Sequence, residues 1–403
     1  MTAEPMLSGL RILDFTRVMS GPYCTAMLAD LGAQVIKVEE PREGDISRHV
    51  APYVDDVSAY FAMLNRGKQS IALDLKDPRA IALAVDLARH CDVLVENFRP
   101  GVMDRLGLGY AAISEANPRL VYASISGFGQ DGPLARLPAY DLVVQAMSGV
   151  MSITGERGGR STAVGESVAD IFAGTFASWG ILAALLERNR SDRGRHVDVS
   201  MLDCMFSMLV TPISRMLATG EEPVRFGNRH PETYPCDSFS AQDGEVVLVC
   251  LGDHAFHGLA RAMERPDLID DPRFRSNADR NACEKELRKI IGDWCAARSR
   301  EAVLDALRAA GVPSAPVWGF GEVIGSDHVR HRGLIKRHEQ ADGGPVSFVS
   351  QPVRFSDTGA SEIKRAPHLG EHTGEILQTL LGLDDRTIEA LRAASVIAES
   401  KRV

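Results

Sequence analysis

Residues 11–39 read RILDFTRVMSGPYCTAMLADLGAQVIKVE. Arg11-Ile12-Leu13-Asp14-Phe15 is a short strand, 22–31 carries apolar residues at helical spacing, and Gln34-Val35-Ile36-Lys37-Val38-Glu39 is a second strand. Strand, helix and strand in so few residues form a βαβ unit, whose strands run parallel. The pattern continues outward, with a strand over 70–75, a helix over 78–90, a strand at Val93-Leu94-Val95-Glu96 and another over 119–126. The expected fold class is therefore α/β, a Rossmann-like open and mainly parallel sheet whose ligands sit at the carboxyl ends of the strands.

Beyond the sheet the sequence turns helical, over 140–151, 167–188 and 201–217, with a strand over 196–199 between the last two. Composition turns polar at Gly220-Glu221-Glu222-Pro223, where a second domain is expected to begin. A strand over 245–251 and charged amphipathic helices between 254 and 310 follow. After Gly333 come the strand signal Val346-Ser347-Phe348-Val349 and helices over 374–381 and 385–394. A chain of 403 residues has room for two or three such units.

The balance of 45 basic against 54 acidic residues, net −9, with no dense basic tract, argues against a nucleic-acid partner. Seven scattered cysteines without a C-x-x-C suit a reducing compartment. Met1-Thr2-Ala3-Glu4-Pro5 lacks the basic and apolar regions of a secretory leader. The apolar run 171–186 falls short of the ~20 residues of a membrane span. A soluble, cytoplasmic protein with no membrane partner is expected.

Several motifs have to be weighed. Gly127-Phe128-Gly129-Gln130-Asp131-Gly132 has the form G-x-G-x-x-G, but Pro133 and Pro138 follow and no helix opens on the last glycine, so it reads as a glycine-rich loop. Gly67-Lys68 is no phosphate loop, because Ala62 and Gln69 stand at the deciding positions. His254-x-x-His257 and His328-x-x-His331 lack metal-ligand spacing, and no metal site is expected. Gly165-Glu166-Ser167-Val168-Ala169 approximates a nucleophile elbow, which keeps a serine hydrolase open; Ser167 is otherwise a helix N-cap. Asp170, just before an apolar helix, is either a first-turn acid favoured by the helix dipole or a partly desolvated carboxylate able to attack an acyl carbon.

Seven stretches, in order along nearly the whole chain, resemble one family. They are Leu13 to Pro22 (LDFTRVMSGP), Leu31 to Glu39 (LGAQVIKVE), Val95 to Gly101 (VENFRPG), Ser124 to Gln130 (SISGFGQ), Tyr140-Asp141, Val168-Ala169-Asp170 and His368 to Thr373 (HLGEHT). The chain is similar to class III coenzyme A-transferases, which include formyl-CoA, carnitine and succinyl-CoA-dependent dicarboxylate CoA-transferases.

The resemblance implies that Asp170 is catalytic. It would attack an acyl-CoA thioester to give a mixed anhydride, then carry CoA as an aspartyl thioester until the acceptor acid reverses both steps, with no permanently bound cofactor. Arg17, Val18, Met19 and Ser20, with Tyr140, would form the active-site loop. The family's CoA contacts fall on Leu73, Asp74, Leu75, Lys76, Asn97, Phe98, Arg99 and Arg105. Where many members carry an arginine after the second strand this chain has Glu40, so Arg42 replaces that contact or the contact is missing. The related α-methylacyl-CoA racemases place histidine where Tyr140 stands, and a phenol with a pKa of ~10 is a poor base for their chemistry.

The same resemblance implies an interlocked homodimer. It gives a large domain over 1–222, a small α+β domain over 223–332, and a return to the large domain over 333–403. The long glycine-rich loop of formyl-CoA transferases has no counterpart between Arg225 and Glu245, which argues against oxalate, and Asn228-Arg229-His230-Pro231 resembles members using succinyl-CoA and small dicarboxylic acids. Arg17, Arg48 and Arg229 are candidates for the acceptor's second carboxylate.

Overall fold

The computed structural model describes residues 4–54, 56–338, 346–356 and 364–399. Met1, Thr2 and Ala3, on which the leader reading partly rests, lie outside the described residues.

The strands are β1 (Arg11–Asp14), β2 (Gln34–Glu39), β3 (Gln69–Leu73), β4 (Val93–Glu96), β5 (Val121–Ser126), β6 (His196–Ser200) and β7 (Ile397–Ala398). They form a seven-stranded sheet in the order β7-β3-β2-β1-β4-β5-β6. All neighbours are parallel except β7 on β3. Between its edges this is the Rossmann order, and the chain reverses direction across the sheet between β1 and β4, where such sheets open a crevice.

Helices α1 (Ser20–Asp30), α2 (Ala59–Asn65), α3 (Pro78–Arg89), α4 (Asp141–Met147), α5 (Val168–Ser191), α6 (Met201–Met208), α7 (Val210–Thr219) and α8 (Thr373–Leu381) accompany the sheet. Period-two alternation assigns each strand's side chains to two cores. Leu13, Ile36, Ile71, Leu94 and Tyr122 pack with Leu83 and Leu87 of α3 and Leu377 of α8. Ile12, Val35, Val93 and Val121 pack with Leu28 of α1 and with Ala169, Ala173, Ala177 and Ile181 of α5.

The small buried side chains of α5 recur at three- and four-residue spacing, which lets α1 lie close against it. At 24 residues α5 extends beyond the apolar run seen in the sequence and has the length and hydropathy of a membrane span; one of its faces is buried in this core.

The helix expected over 140–151 stops at Met147, before Gly149 turns left-handed at φ +94°. The one expected over 201–217 is two helices, α6 and α7, divided at Leu209.

Backbone contacts divide the chain into one unit over 1–150, 163–214 and 329–403, and a second over 151–162 and 215–328. The second unit has its own antiparallel sheet of Cys236–Ala241, Gly244–Val249 and Ser314–Pro316. Phe239, Val246, Phe256, Leu259, Ile291 and Trp294 fill its core.

Candidate active site

At the carboxyl ends of β1, β4 and β5 a cavity of about 570 Å³ opens. Arg17, Val18, Met19 and Ser20 line it from the turn after β1, Asn97, Phe98 and Arg99 from the turn after β4, and Ser126 and Gly127 from the glycine-rich loop after β5. Tyr140 and Asp170 complete the wall, with Glu40, Arg42 and His49. A second cavity of about 230 Å³ is lined by Leu73, Asp74, Leu75 and Lys76 after β3, and it shares Arg17, Glu40 and Phe98 with the first. These two walls thus hold Asp170, the expected active-site loop with Tyr140, and every expected CoA contact except Arg105. That residue is exposed at the end of the short helix Val102–Arg105 and lines neither cavity.

Three arrangements place Asp170. First, it sits in the first turn of α5, and the expected cap is absent: Ser167 occupies the N-cap position but its hydroxyl makes no capping bond. Asp141 takes that role from α4, its Oδ1 accepting the Ala169 N–H at 2.8 Å. Gln145, buried on the same helix, donates to Asp141 Oδ2 at 2.6 Å and to the Glu166 carbonyl at 3.1 Å, fixing the approach to α5.

Second, a Cβ on Gly174, one turn after Asp170, would lie 2.5 Å from the Ser20 carbonyl oxygen, so only glycine allows α1 and α5 to meet there. Third, the turn after β1 is fixed to the turn after β4. The Arg17 N–H donates to Asn97 Oδ1 at 2.9 Å, and Asn97 Nδ2 donates to the Arg17 carbonyl at 2.8 Å.

Burial pushes the Asp170 carboxyl up to about 6; the hydroxyl and backbone N–H of Ser20 oppose the shift, and the negative charge of Asp141 adds to it. An α1 N-terminus and a Ser20 donor beside a desolvated carboxylate can hold charge developing on an oxygen at that carbon. Tyr60 on α2 was not singled out in the sequence. Its phenol is pushed up to about 12 by burial and then by the charge of Asp170, so it stays a donor near neutral pH. No local motif marks it: it lines neither cavity, and only the fold brings α2 near enough for the charge of Asp170 to act on it.

The guanidinium groups of Arg17, Arg42 and Arg99 line the main cavity without an ion pair among the described residues. Arg17 lies 4.9 Å over the Phe98 ring. Glu40, standing where an arginine was anticipated, folds its carboxylate back onto the Arg42 and Glu43 N–H groups, and Arg42 shares the wall with it.

Two of the anticipated acceptor ligands are already engaged. Arg48 grips Glu39 through Nε and Nη2 at 2.8 and 2.7 Å and stacks on Phe61. Arg229 lies in the other unit and is buried against Glu284 at 3.3 Å, with a further bond to Asn281. Ser167 is on neither cavity wall. Among the described residues no cluster of three His, Cys, Asp or Glu side chains could hold a metal ion.

A Rossmann-order sheet with a cavity at its switch point, lined by three arginines and by the carboxyls of Glu40, Glu43 and a desolvated Asp170, fits an α/β enzyme with a polar substrate site. The chain belongs to CoA-transferase family III, whose family model matches residues 7–373. It is 44% identical to the acetyl-CoA:oxalate CoA-transferase of Acetobacter aceti, over 86% of this chain and 88% of that one. It is 37% identical to the succinyl-CoA:glutarate CoA-transferase of Mus musculus, over 98% and 90%. The crystal structure of a CAIB/BAIF family protein from Brucella suis superposes with a TM-score of 0.86 at 34% identity, covering 94% of this chain and all of that one. The chain is an acyl-CoA:carboxylate CoA-transferase.

Proposed function

We propose that this enzyme moves CoA from succinyl-CoA to a small dicarboxylate through covalent intermediates on Asp170. The supporting observation is Asp170 itself, a carboxylate raised to about 6 at the head of a helix, on a cavity wall that also carries arginines with no ion pair among the described residues.

An ionised Asp170 oxygen attacks the thioester carbon; the carbon–sulfur bond breaks, CoA thiolate leaves, and an anhydride remains. The thiolate attacks the Asp170 carboxyl carbon and the donor acid departs, leaving an aspartyl-CoA thioester. The acceptor carboxylate attacks that carbon and expels the thiolate, which then attacks the acceptor's acyl carbon and regenerates Asp170. No proton, oxidant or nucleotide is consumed. Leu73, Asp74, Leu75, Lys76, Asn97, Phe98 and Arg99 would hold CoA, and Arg105 would reach its phosphates only from outside the cavities.

A relative that uses oxalate restores the acid that the missing loop set aside. The test is therefore incubation with succinyl-CoA or acetyl-CoA and a pool from oxalate through mesaconate to glutarate, with new CoA esters read by mass spectrometry. Esters of one or more acids support the reading. Release of free CoA without any ester would replace it with hydrolysis.

Two further outcomes follow from the site. Because the attacking form is ionised and the pKa is raised, kcat/KM is expected to fall about tenfold per pH unit below about 6; a profile flat to pH 5 contradicts this. Arg17→Gln is expected to raise the KM of a dicarboxylate acceptor about tenfold or more and to spare a monocarboxylate. Steady-state kinetics with paired acceptors decides between this and a general loss.

A cytoplasmic, interlocked homodimer belongs to the same proposal. All seven cysteines are free thiols, and Trp179 and Leu186 of α5, Phe206 of α6 and Val210 of α7 are 57 to 69% exposed, an apolar surface suited to a second copy. Sedimentation at the mass of a single chain would exclude the dimer.

A further inference from the structure

Val18 has φ +69°, in the left-handed region that β-branched residues avoid. It lies in the middle of the turn leading from β1 to α1, and something has to hold it there. Its N–H donates to Asp45 Oδ1 at 3.1 Å. The other carboxylate oxygen of Asp45 meets Lys37 Nζ at 2.8 Å, and the same ammonium donates to the Thr16 carbonyl at 2.7 Å. Both charged side chains are excluded from water, at 0 and 1% exposure. Asp45 is itself oriented, since its N–H donates to Glu39 Oε2 at 3.0 Å and its Oδ1 also accepts the Ser47 N–H at 2.9 Å.

The transfer chemistry uses neither Lys37 nor Asp45. A buried ion pair is weak evidence for stability, because desolvation offsets most of its attraction, while fixing a conformation is a better attested use. Here the pair spans the residues on both sides of Arg17, and the kink it holds turns the chain so that Ser20 faces Asp170.

We infer that the Lys37–Asp45 pair is the positioning device of the active-site turn, holding Val18 left-handed so that the head of α1 is presented to Asp170. The kinetic part of this inference rests on the CoA-transfer reading. In Asp45→Asn the amide has one acceptor oxygen where the carboxylate has two, so it can serve Lys37 or Val18 but not both. Glycine adopts φ +69° unaided, so in a Val18→Gly background the pair has no strain left to hold.

The test is a double-mutant cycle on the full chain, with kcat and the KM for acyl-CoA read separately. Asp45→Asn alone is expected to lower kcat about thirtyfold with the KM within about threefold. Introduced into Val18→Gly, it is expected to lower kcat less than about threefold. Equal losses in the two backgrounds, or no loss in the first, would overturn the inference. Lys37→Gln enters the same cycle if Asp45→Asn does not fold.

A wild-type protein that makes no CoA ester would defeat the functional reading and leave this one to crystallography. The Asp45→Asn structure must then show Val18 out of the left-handed region, and an unchanged φ near +69° overturns the inference.

Discussion

Asp170→Asn is expected to reduce CoA transfer about 10⁴-fold or more while leaving the protein folded and more stable at neutral pH. The loss follows from removing the one protein atom that the proposed route uses as a nucleophile; substitutions of that kind cost enzymes about 10⁴- to 10⁶-fold. The gain in stability follows from the direction of the shift. Asp170 is raised from 3.8 to about 6, so the folded protein binds this proton more tightly than the unfolded chain does. Stability then declines as pH rises between those values, and the cost persists at pH 7. The asparagine has no charge to bury, so it recovers about 1–2 kcal/mol at pH 7, and the recovery fades as pH falls toward 4. Urea melts of both proteins at pH 5 and pH 7 measure this difference of differences. A variant less stable than wild type at pH 7 would mean that Asp170 serves the fold.

Gly174→Ala should damage catalysis strongly although it removes no functional group. The added Cβ would stand 2.5 Å from the Ser20 carbonyl oxygen and 3.3 Å from the Cys24 nitrogen, backbone atoms that move only if α1 moves. Overpacking of this kind costs about 1–3 kcal/mol. The displacement falls on the Ser20 donors facing Asp170, so kcat is expected to drop about 10²-fold, a typical cost of an ångström of misplacement. Gly180→Ala is the control on the same helix. Its Cβ would meet a Val197 methyl at 2.8 Å, far from Asp170, and it should cost stability while sparing kcat. If both alanines lower kcat equally, the contact at Ser20 has no special part in catalysis.

Most of the sheet was legible because its strands are short, apolar and separated by helical periodicity. The edge strand Ile397–Ala398 was not, since two residues carry no period and its pairing with β3 spans more than three hundred positions. Asp170 stood out locally as a carboxylate before an apolar helix, but its role came from the resemblance. The cap that Asp141 supplies in place of Ser167 joins residues 28 apart, so local capping rules pointed to the wrong side chain. Arg48 and Arg229 looked like free cations until the fold set Glu39 and Glu284 beside them. Val18 was placed in the active-site loop by the resemblance, but nothing in the sequence signalled its conformation: a valine in a left-handed turn is imposed by Asp45, Lys37 and Asn97 from three other segments.

The claim on which the rest depends is that Asp170 carries CoA. Succinyl-CoA incubated with the enzyme and no acceptor, quenched in acid and measured as intact protein and then as peptides, should show a CoA adduct on the peptide containing Asp170, converted by hydroxylamine to a hydroxamate at that residue. An adduct on Ser167, or ester formation from an acceptor with no adduct at any time, would contradict it.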